Sequence, residues 1–464
     1  MVRLVNRSGP GHTSRIGKED RNADLNGPRG ARIVNRFTLE VFSKKVRPME
    51  HFTRRGVLGC LAATTMGSVP DVLAGGRLRK KPVTAIITAY QSGMHADALV
   101  GKILEGWQQD GGPGPALRLV SMYLDQPAAG DLGSRMSTRY QVPIFDSIEK
   151  AITVGDNRVQ VDGVISIGEH GDYPTNEKGQ DLYPRRRFFA EIANTLEKYQ
   201  RMVPVYNDKH LGPVWSDAKW MYERARQLNI PLMAGSSMVV TFREPEVLLP
   251  RGVEIEAALG IGYSQLDSYG THTLEALQCL LERRRGAETG VRWVQCLEGR
   301  AMWKAVDEGI VRRDLLQAAL RLTPAQQGAP VRSGKESALF LFQYNDGLPA
   351  AVLMLPQYAA RISATVKVKG RSQPLTTVFA ERPQPRHPHF AYLLKGIERM
   401  VHTGQPSYPV ERTLLTSGIL DRALTSRYQG GGPRLLTPEL AIGYTPVDYP
   451  HAPLPDLASD PRQT

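Results

Sequence analysis

From Pro82 onward, apolar and polar positions fall into blocks that switch between two periods. Val83-Thr84-Ala85-Ile86-Ile87 is a β-branched run suited to a buried strand, and residues 96–106 carry apolar positions at helical spacing. The alternation repeats. Strand patterns fall at 117–124, 142–145, 161–167, 203–206 and 231–234, and helical patterns follow at about 131–140, 147–152, 187–199 and 216–228. Strands alternating with helices in this way predict a parallel, doubly wound sheet. Crossovers in such a sheet are right-handed, and ligands bind beyond the carboxyl ends of its strands.

After about residue 240 the pattern changes. A Glu- and Pro-rich loop (243–250) leads to an apolar run at 253–261 and a helix near 273–284. Strand-like runs with polar alternation follow at 290–297, 338–344, 350–355 and 362–368, as in an antiparallel sheet with one covered face. A proline-rich loop at 383–388 and a helix at 392–402 come next. The expected fold is therefore α/β: an N-terminal Rossmann-type doubly wound parallel sheet over 82–240, a C-terminal α+β domain with a mainly antiparallel sheet over 241–450, and a loose tail at 451–464. No internal repeat is present.

Charge adds a third region. The 464 residues hold 59 Lys and Arg against 46 Asp and Glu, a net charge of +13 that taken alone would point to nucleic acid. Residues 1–48 hold 11 basic against 4 acidic residues and residues 49–81 hold 6 against 2, which leaves 42 against 40 for the rest. The body is nearly neutral, so a nucleic-acid partner has no support. No apolar run approaches the roughly 18 residues of a membrane span, which argues against an integral membrane protein. Three cysteines cannot build a disulfide scaffold or a Cys-rich zinc module, and Cys279 and Cys296 suit buried apolar positions.

Residues 1–48 are polar and aperiodic, and read as a disordered extension ahead of a start at Met49. From Met49 the chain runs through Thr53-Arg54-Arg55-Gly56-Val57-Leu58, a mildly apolar stretch to Met66, and small residues at Ala74-Gly75-Gly76. This segment, with its linker to 81, resembles a twin-arginine export signal. It predicts a chain carried folded by the twin-arginine translocation machinery, and so periplasmic or exported. Val57-Leu58-Gly59-Cys60 mimics a lipoprotein box but follows the arginines too closely to leave room for an apolar span.

Candidate chemistry gathers at the strand ends. A dinucleotide fold wants glycines directly after the first strand, where the backbone approaches a pyrophosphate at a helix N-terminus. Here the loop reads Thr88-Ala89-Tyr90-Gln91-Ser92-Gly93-Met94-His95, with only Gly93 left of a G-x-G-x-x-G pattern. Tyr90 would crowd a pyrophosphate unless the loop is reshaped. Asp125, ending the second strand, is placed to take ribose hydroxyls or to cap the strand end. Lys209 follows the strand at 203–206, where a lysine either is solvated or bonds a substrate hydroxyl. The polar loop after the fourth strand brings Gly168, Glu169, His170 and Asp172 to the same mouth as His95. They read as substrate-binding groups, a rearranged cofactor loop, metal ligands or a solvated loop. Arg185-Arg186-Arg187 reads as a solvated helix start or as a site for an acidic sugar or phosphate.

Asp208-Lys209, followed by a helix and a strand ending in small residues, is similar to the Glu/Asp-Lys-Pro segment of the glucose–fructose oxidoreductase, inositol dehydrogenase and rhizopine-catabolism family (Gfo/Idh/MocA), with His210 in place of the proline. Tyr269-Gly270-Thr271-His272-Thr273-Leu274-Glu275 resembles that family's Asp-x-Gly-x-His-x-x-Asp segment. Ser268 stands where the first Asp belongs, and Asp267 is one place off. Weaker echoes extend the resemblance over most of 83–445, at 141–151, 161–165, 417–421 and 437–440. The resemblance implies an oxidoreductase that passes hydride between a tightly bound NAD or NADP and a sugar, polyol or derivative. It makes His272 the acid/base, Lys209 its partner, and Glu275 the group that orients substrate or the imidazole. Thr88, Tyr90, Gly93, His95, Asp125, Gly168, Glu169, His170, Asp208 and Lys209 would surround the cofactor. No metal is assigned, and pairing between subunits through the second sheet implies a homo-oligomer. The eroded glycine loop keeps two alternatives open: a degenerate member that binds a carbohydrate without redox turnover, or a lyase or hydrolase that uses NAD transiently.

Overall fold

Eleven elements alternate through the first half of the computed structural model, which describes residues 79–127, 131–323, 332 and 336–463. They are β1 (Lys81–Ile87), α1 (His95–Glu105), β2 (Leu117–Leu124), α2 (Leu132–Tyr140), β3 (Ile144–Phe145), α3 (Ile148–Thr153), β4 (Gly163–Ile167), α4 (Arg185–Lys198), β5 (Val205–Asp208), α5 (Trp215–Gln227) and β6 (Leu232–Gly235). The strands form one parallel sheet in the order β3-β2-β1-β4-β5-β6, whose direction of build reverses between β1 and β4. Successive residues serve opposite faces. Val83, Ala85 and Ile87 join a core with Leu99 and Val100 of α1, whereas Ile86 packs with Ile148 of α3, Phe188 of α4 and Met221 of α5. Burial on both faces explains why these strands read as unbroken apolar runs.

The second half contains β7 (Phe242–Glu244), β8 (Ile255–Gly262), α6 (Ser268–Leu281), β9 (Val291–Glu298), α7 (Gly299–Asp307), α8 (Arg313–Leu322), β10 (Ala338–Tyr344), β11 (Pro349–Met354), β12 (Ile362–Val368), β13 (Leu375–Ala380), α9 (His389–Thr403), α10 (Glu411–Tyr428) and β14 (Leu435–Leu436). Its sheet runs β14-β9-β10-β11-β8-β12-β13-β7 and is antiparallel except where β11 pairs with β8. The fold is α/β with a second, mainly antiparallel sheet, as the pattern of the chain predicts.

One feature of that sheet corrects the prediction. It is covered on both faces. Phe340, Val352 and Ala258 pack with α6 and α10, while Leu339, Leu341, Leu259 and Leu353 pack under Met302 of α7 and Leu315 of α8. The face expected to be open, and through which subunit pairing was expected, is thus filled by the chain's own helices over β8, β10 and β11. Cys279 and Cys296 are buried and unpaired with each other. Among the described residues no helix is long and apolar enough to cross a membrane. The 1–48 extension and residues 49–78 of the export segment lie outside the described residues.

Candidate active site

The carboxyl ends of β1, β4, β5 and β6 open toward the N-terminal part of α6, and a cavity of about 500 Å³ lies there. Of the residues singled out from the sequence, Gly93, His95, Glu169, His170, Lys209 and His272 wall this cavity. Thr88, Tyr90, Asp125, Gly168, Asp208 and Glu275 do not.

Lys209 leaves β5 in the left-handed backbone region, φ 60°, and its carbonyl accepts from the Gly235 N–H at 3.0 Å. His170, across the cavity, is also left-handed at φ 69°. Such conformations cost a non-glycine residue about 1–3 kcal/mol and persist where the surroundings impose them, characteristically at functional sites. The Lys209 ammonium donates to Glu169 Oε1 at 2.5 Å, and the Arg185 guanidinium takes the other carboxylate oxygen. All three side chains are buried. Burial alone would push the Glu169 carboxyl up, but the Lys209 and Arg185 charges outweigh it and hold the group well below the usual carboxylate range. Arg185 is therefore no solvated helix start. The missing side chain of Gly168 makes room for it, since a Cβ there would meet Arg185 Cγ at 2.8 Å. His210, in place of the family proline, also serves Arg185: its Nδ1 donates to Gly212 O at 2.8 Å, and its Nε2 faces the guanidinium at 3.1 Å.

His272 lies inside α6, which begins about five residues earlier than the sequence indicated. Gly270 lets α6 close on α10 and β10, because a Cβ there would meet Leu420 at 3.1 Å and Phe340 at 3.4 Å. Burial, with Lys209 and His95 adding to it, holds the His272 imidazole well below its ordinary value, so it is neutral near pH 7. Its Nδ1 is buried without a hydrogen-bond partner. Glu275 does not orient it. Glu275 Oε2 accepts from the Ser236 N–H and Oε1 from the Thr413 hydroxyl, both at 2.7 Å, which clamps the end of β6 to α10 behind the cavity.

Three cofactor expectations are also corrected. The Tyr90 ring is wholly buried in the core and leaves the loop mouth clear. Thr88 points its hydroxyl into the β4 loop, donating to Glu169 O at 2.6 Å. Asp125 is already engaged: Tyr123 and Arg187 donate to Oδ1, and Tyr173 to Oδ2, each at 2.6 Å. A ribose would have to displace one of them. Asp208 is completely buried and holds the His95 imidazole, Nδ1 to Oδ2, at 2.6 Å.

The sequence reading missed His387, His389 and Phe390, which close the cavity from the N-terminal side of α9. The signal was available, because Arg386-His387-Pro388-His389 puts two imidazoles at the mouth of a helix. Burial lowers His170 to about 4 and His389 to about 3, so both are neutral at pH 7. Among the described residues, no group of three His, Cys, Asp or Glu is placed to hold a metal ion.

Asp267 was also missed as a titrating group. Its Oδ2 accepts from the Asp181 N–H at 3.1 Å, its Oδ1 is buried without a partner, and burial raises its pKa to about 7. Between about pH 4 and pH 7 the folded chain keeps a proton here that the unfolded chain releases, so this group's contribution to stability falls as pH rises through that window. Asp267→Asn should remove the decline. Thermal unfolding in steps from pH 4 to 8 is expected to show the variant gaining on the parent up to about pH 7, then holding a constant margin.

Several features suit a nicotinamide nucleotide. The N-cap residue of α1, Met94, makes no side-chain cap, and Gly93, at φ 75° with open space about its Cβ position, walls the cavity beside it, its N–H donating to the Asp97 carboxylate at 2.8 Å. A helix start favours a phosphate, and the Asp97 charge in the first turn opposes it. A second cavity of about 560 Å³, beyond the ends of β1 and β2, shares His170 and Tyr183 with the first, and His170 Nε2 is buried without a partner. At the nicotinamide end the residues fit the group. At the adenosine end they fit less well, because Asp125 is filled and Gln126 is bridged to Asp172 at 2.7 and 2.8 Å.

No protein-family model and no curated protein matches the chain. Solved structures do. GenD2 from gentamicin A biosynthesis, in complex with NAD, superposes with a TM-score of 0.50 at 12% identity, over 80% of this chain and 99% of that one. This chain has the fold of GenD2. Apo scyllo-inositol dehydrogenase from Lactobacillus casei gives 0.48 at 10% identity, over 77% and 98%. A putative myo-inositol dehydrogenase from Sinorhizobium meliloti 1021 gives 0.47 at 12%, over 76% and 99%.

Proposed function

We propose that the chain is an oxidoreductase of the Gfo/Idh/MocA type, moving hydride between a nicotinamide nucleotide and a sugar, polyol or derivative. The observation that carries this reading is the meeting of Lys209 and His272, from the two motifs of the resemblance, on one cavity at the carboxyl edge of a parallel sheet. GenD2, which shares the fold, was solved with NAD.

The nucleotide, when bound, supplies the hydride acceptor or donor. The chain supplies the rest. Glu169 fixes the direction of the Lys209 side chain, so the ammonium can donate to a substrate oxygen and steady the negative charge that develops there. The neutral imidazoles of His170, His272 and His389 bond a polyhydroxyl ligand without adding charge, and Tyr183, Tyr269 and Phe390 give the cavity apolar faces.

The export segment supports a periplasmic location. There, free nucleotide is scarce, so we expect tight retention and a second substrate that restores the nucleotide between turnovers. Incubated with NAD or NADP and a panel of polyols and aldoses, the purified chain should change the redox state of the nucleotide in step with substrate. No change with any pair, together with no nucleotide binding, sinks the reading. The engaged Asp125 favours a second reading, a carbohydrate binder without redox turnover. Sugar binding measured by calorimetry in the absence of any nucleotide effect would favour it.

A further inference from the structure

We propose that His95, held by Asp208, is the group that takes the substrate's hydroxyl proton, in place of the His272 that the motif resemblance singles out. The proposal rests on the oxidoreductase reading and assigns its proton-transfer step to a different residue.

The two imidazoles differ in what holds them. His272 has no acid behind it: its Nδ1 is unpartnered, and the nearby Glu275 is spent on Ser236 and Thr413. His95 has a fixed partner. Its Nδ1 lies 2.6 Å from Asp208 Oδ2, and the Asp208 side chain is fully buried at the end of β5. The Tyr206 hydroxyl, which donates to Gly235 O at 2.7 Å, lies 3.2 Å from Oδ1. A carboxylate only accepts, so Nδ1 carries a proton, and in the neutral ring Nε2 then holds the lone pair. Two rings lock the imidazole edge-on, His170 at 5.3 Å and Phe390 at 5.0 Å between centroids. The 16% of the side chain that stays exposed belongs to a residue walling the cavity, alongside Lys209. A buried acid that sets the tautomer and steadies the imidazolium is the arrangement by which an imidazole becomes an efficient base.

In the step, the substrate O–H bond breaks and its proton passes to His95 Nε2. The adjacent carbon gives its hydride, with the bonding pair, to the nicotinamide, and the C–O single bond becomes a carbonyl. Asp208 offsets the charge that His95 gains, and Lys209 bonds the oxygen. The position of His95 as the first residue of α1, where the sequence suggested a cofactor contact, brings the base to the wall of the cavity from a different element than α6.

Two measurements test this on the full chain. Ring-nitrogen NMR of histidine-labelled protein is expected to show His95 as the Nδ1–H tautomer, and Asp208→Asn to abolish that signature. A His95 carrying its proton on Nε2 in the parent chain overturns the proposal. With the substrate pair found in the panel above, His95→Gln and Asp208→Asn should each lower turnover roughly 10²–10⁴-fold, while His272→Gln lowers it less, and added imidazole should restore part of the loss in His95→Gly. Loss confined to His272→Gln overturns the proposal and leaves the oxidoreductase reading intact. A parent chain with no turnover counts against that reading instead, and the NMR result still decides whether the His95–Asp208 pair exists.

Discussion

Glu169→Ala is expected to destabilise the chain more than any other single change at the site, by about 3–5 kcal/mol. The carboxylate sits between the buried Lys209 ammonium and Arg185 guanidinium, which are 5% and 1% exposed. Its removal leaves two cations out of water with no counter-charge, and each was desolvated only because Glu169 was there. His210, neutral and bonded to Arg185, cannot replace it. Denaturant unfolding at pH 7 checks the magnitude. Glu169→Gln keeps the shape and the acceptor oxygen but not the charge, and should fall between the parent and the alanine variant. Adding Lys209→Met to Glu169→Gln should recover part of the loss, because the second change removes one of the stranded cations. A Glu169→Ala variant as stable as the parent would show that the three charges are not held in the low-dielectric cluster that the structure describes.

Lys209→Met is the second large effect, and it falls on activity. Arg185 still pairs with Glu169 in this variant, so the fold should survive with a modest loss of stability. The left-handed backbone at position 209 is no worse for Met than for Lys. On the proposed reading, what disappears is the donor to the substrate oxygen. Turnover with the cognate substrate pair should drop roughly 10²–10⁴-fold, with unfolding still cooperative. A variant that keeps the parent's turnover would remove Lys209 from the chemistry and, with it, half of the motif argument.

The parallel sheet was readable in the chain because strands buried on both faces must be apolar at every position, and β1 and β4 are nearly so. α10 was not readable for the complementary reason. It is buried on most of its surface and carries Thr, Ser and Gly in its interior, so it shows no amphipathic stripe. α7 and α8 do carry such a stripe, and missing them led to the expectation of an open sheet face.

At the site, Lys209 and His272 were legible because each sits in a short motif. The His95–Asp208 pair was not, because its members are 113 residues apart and meet only when the start of α1 comes to the end of β5. Arg185 looked like part of a solvated charge run, and only the fold shows that it turns inward while Arg186 and Arg187 stay partly exposed. Tyr90 was placed by its position in a loop, yet its ring packs into the core below that loop.

The central claim is that the cavity beside Lys209 and His272 seats a nicotinamide nucleotide. Titration of the purified chain with NADH and NADPH, followed by nucleotide fluorescence, tests it most directly. Saturable binding of one of the two is expected, with enhanced emission, displaced by its oxidised form and weakened by bulk at Gly93, as in Gly93→Trp. Binding of neither nucleotide by a folded chain, and none recovered from the protein on denaturation, would contradict it.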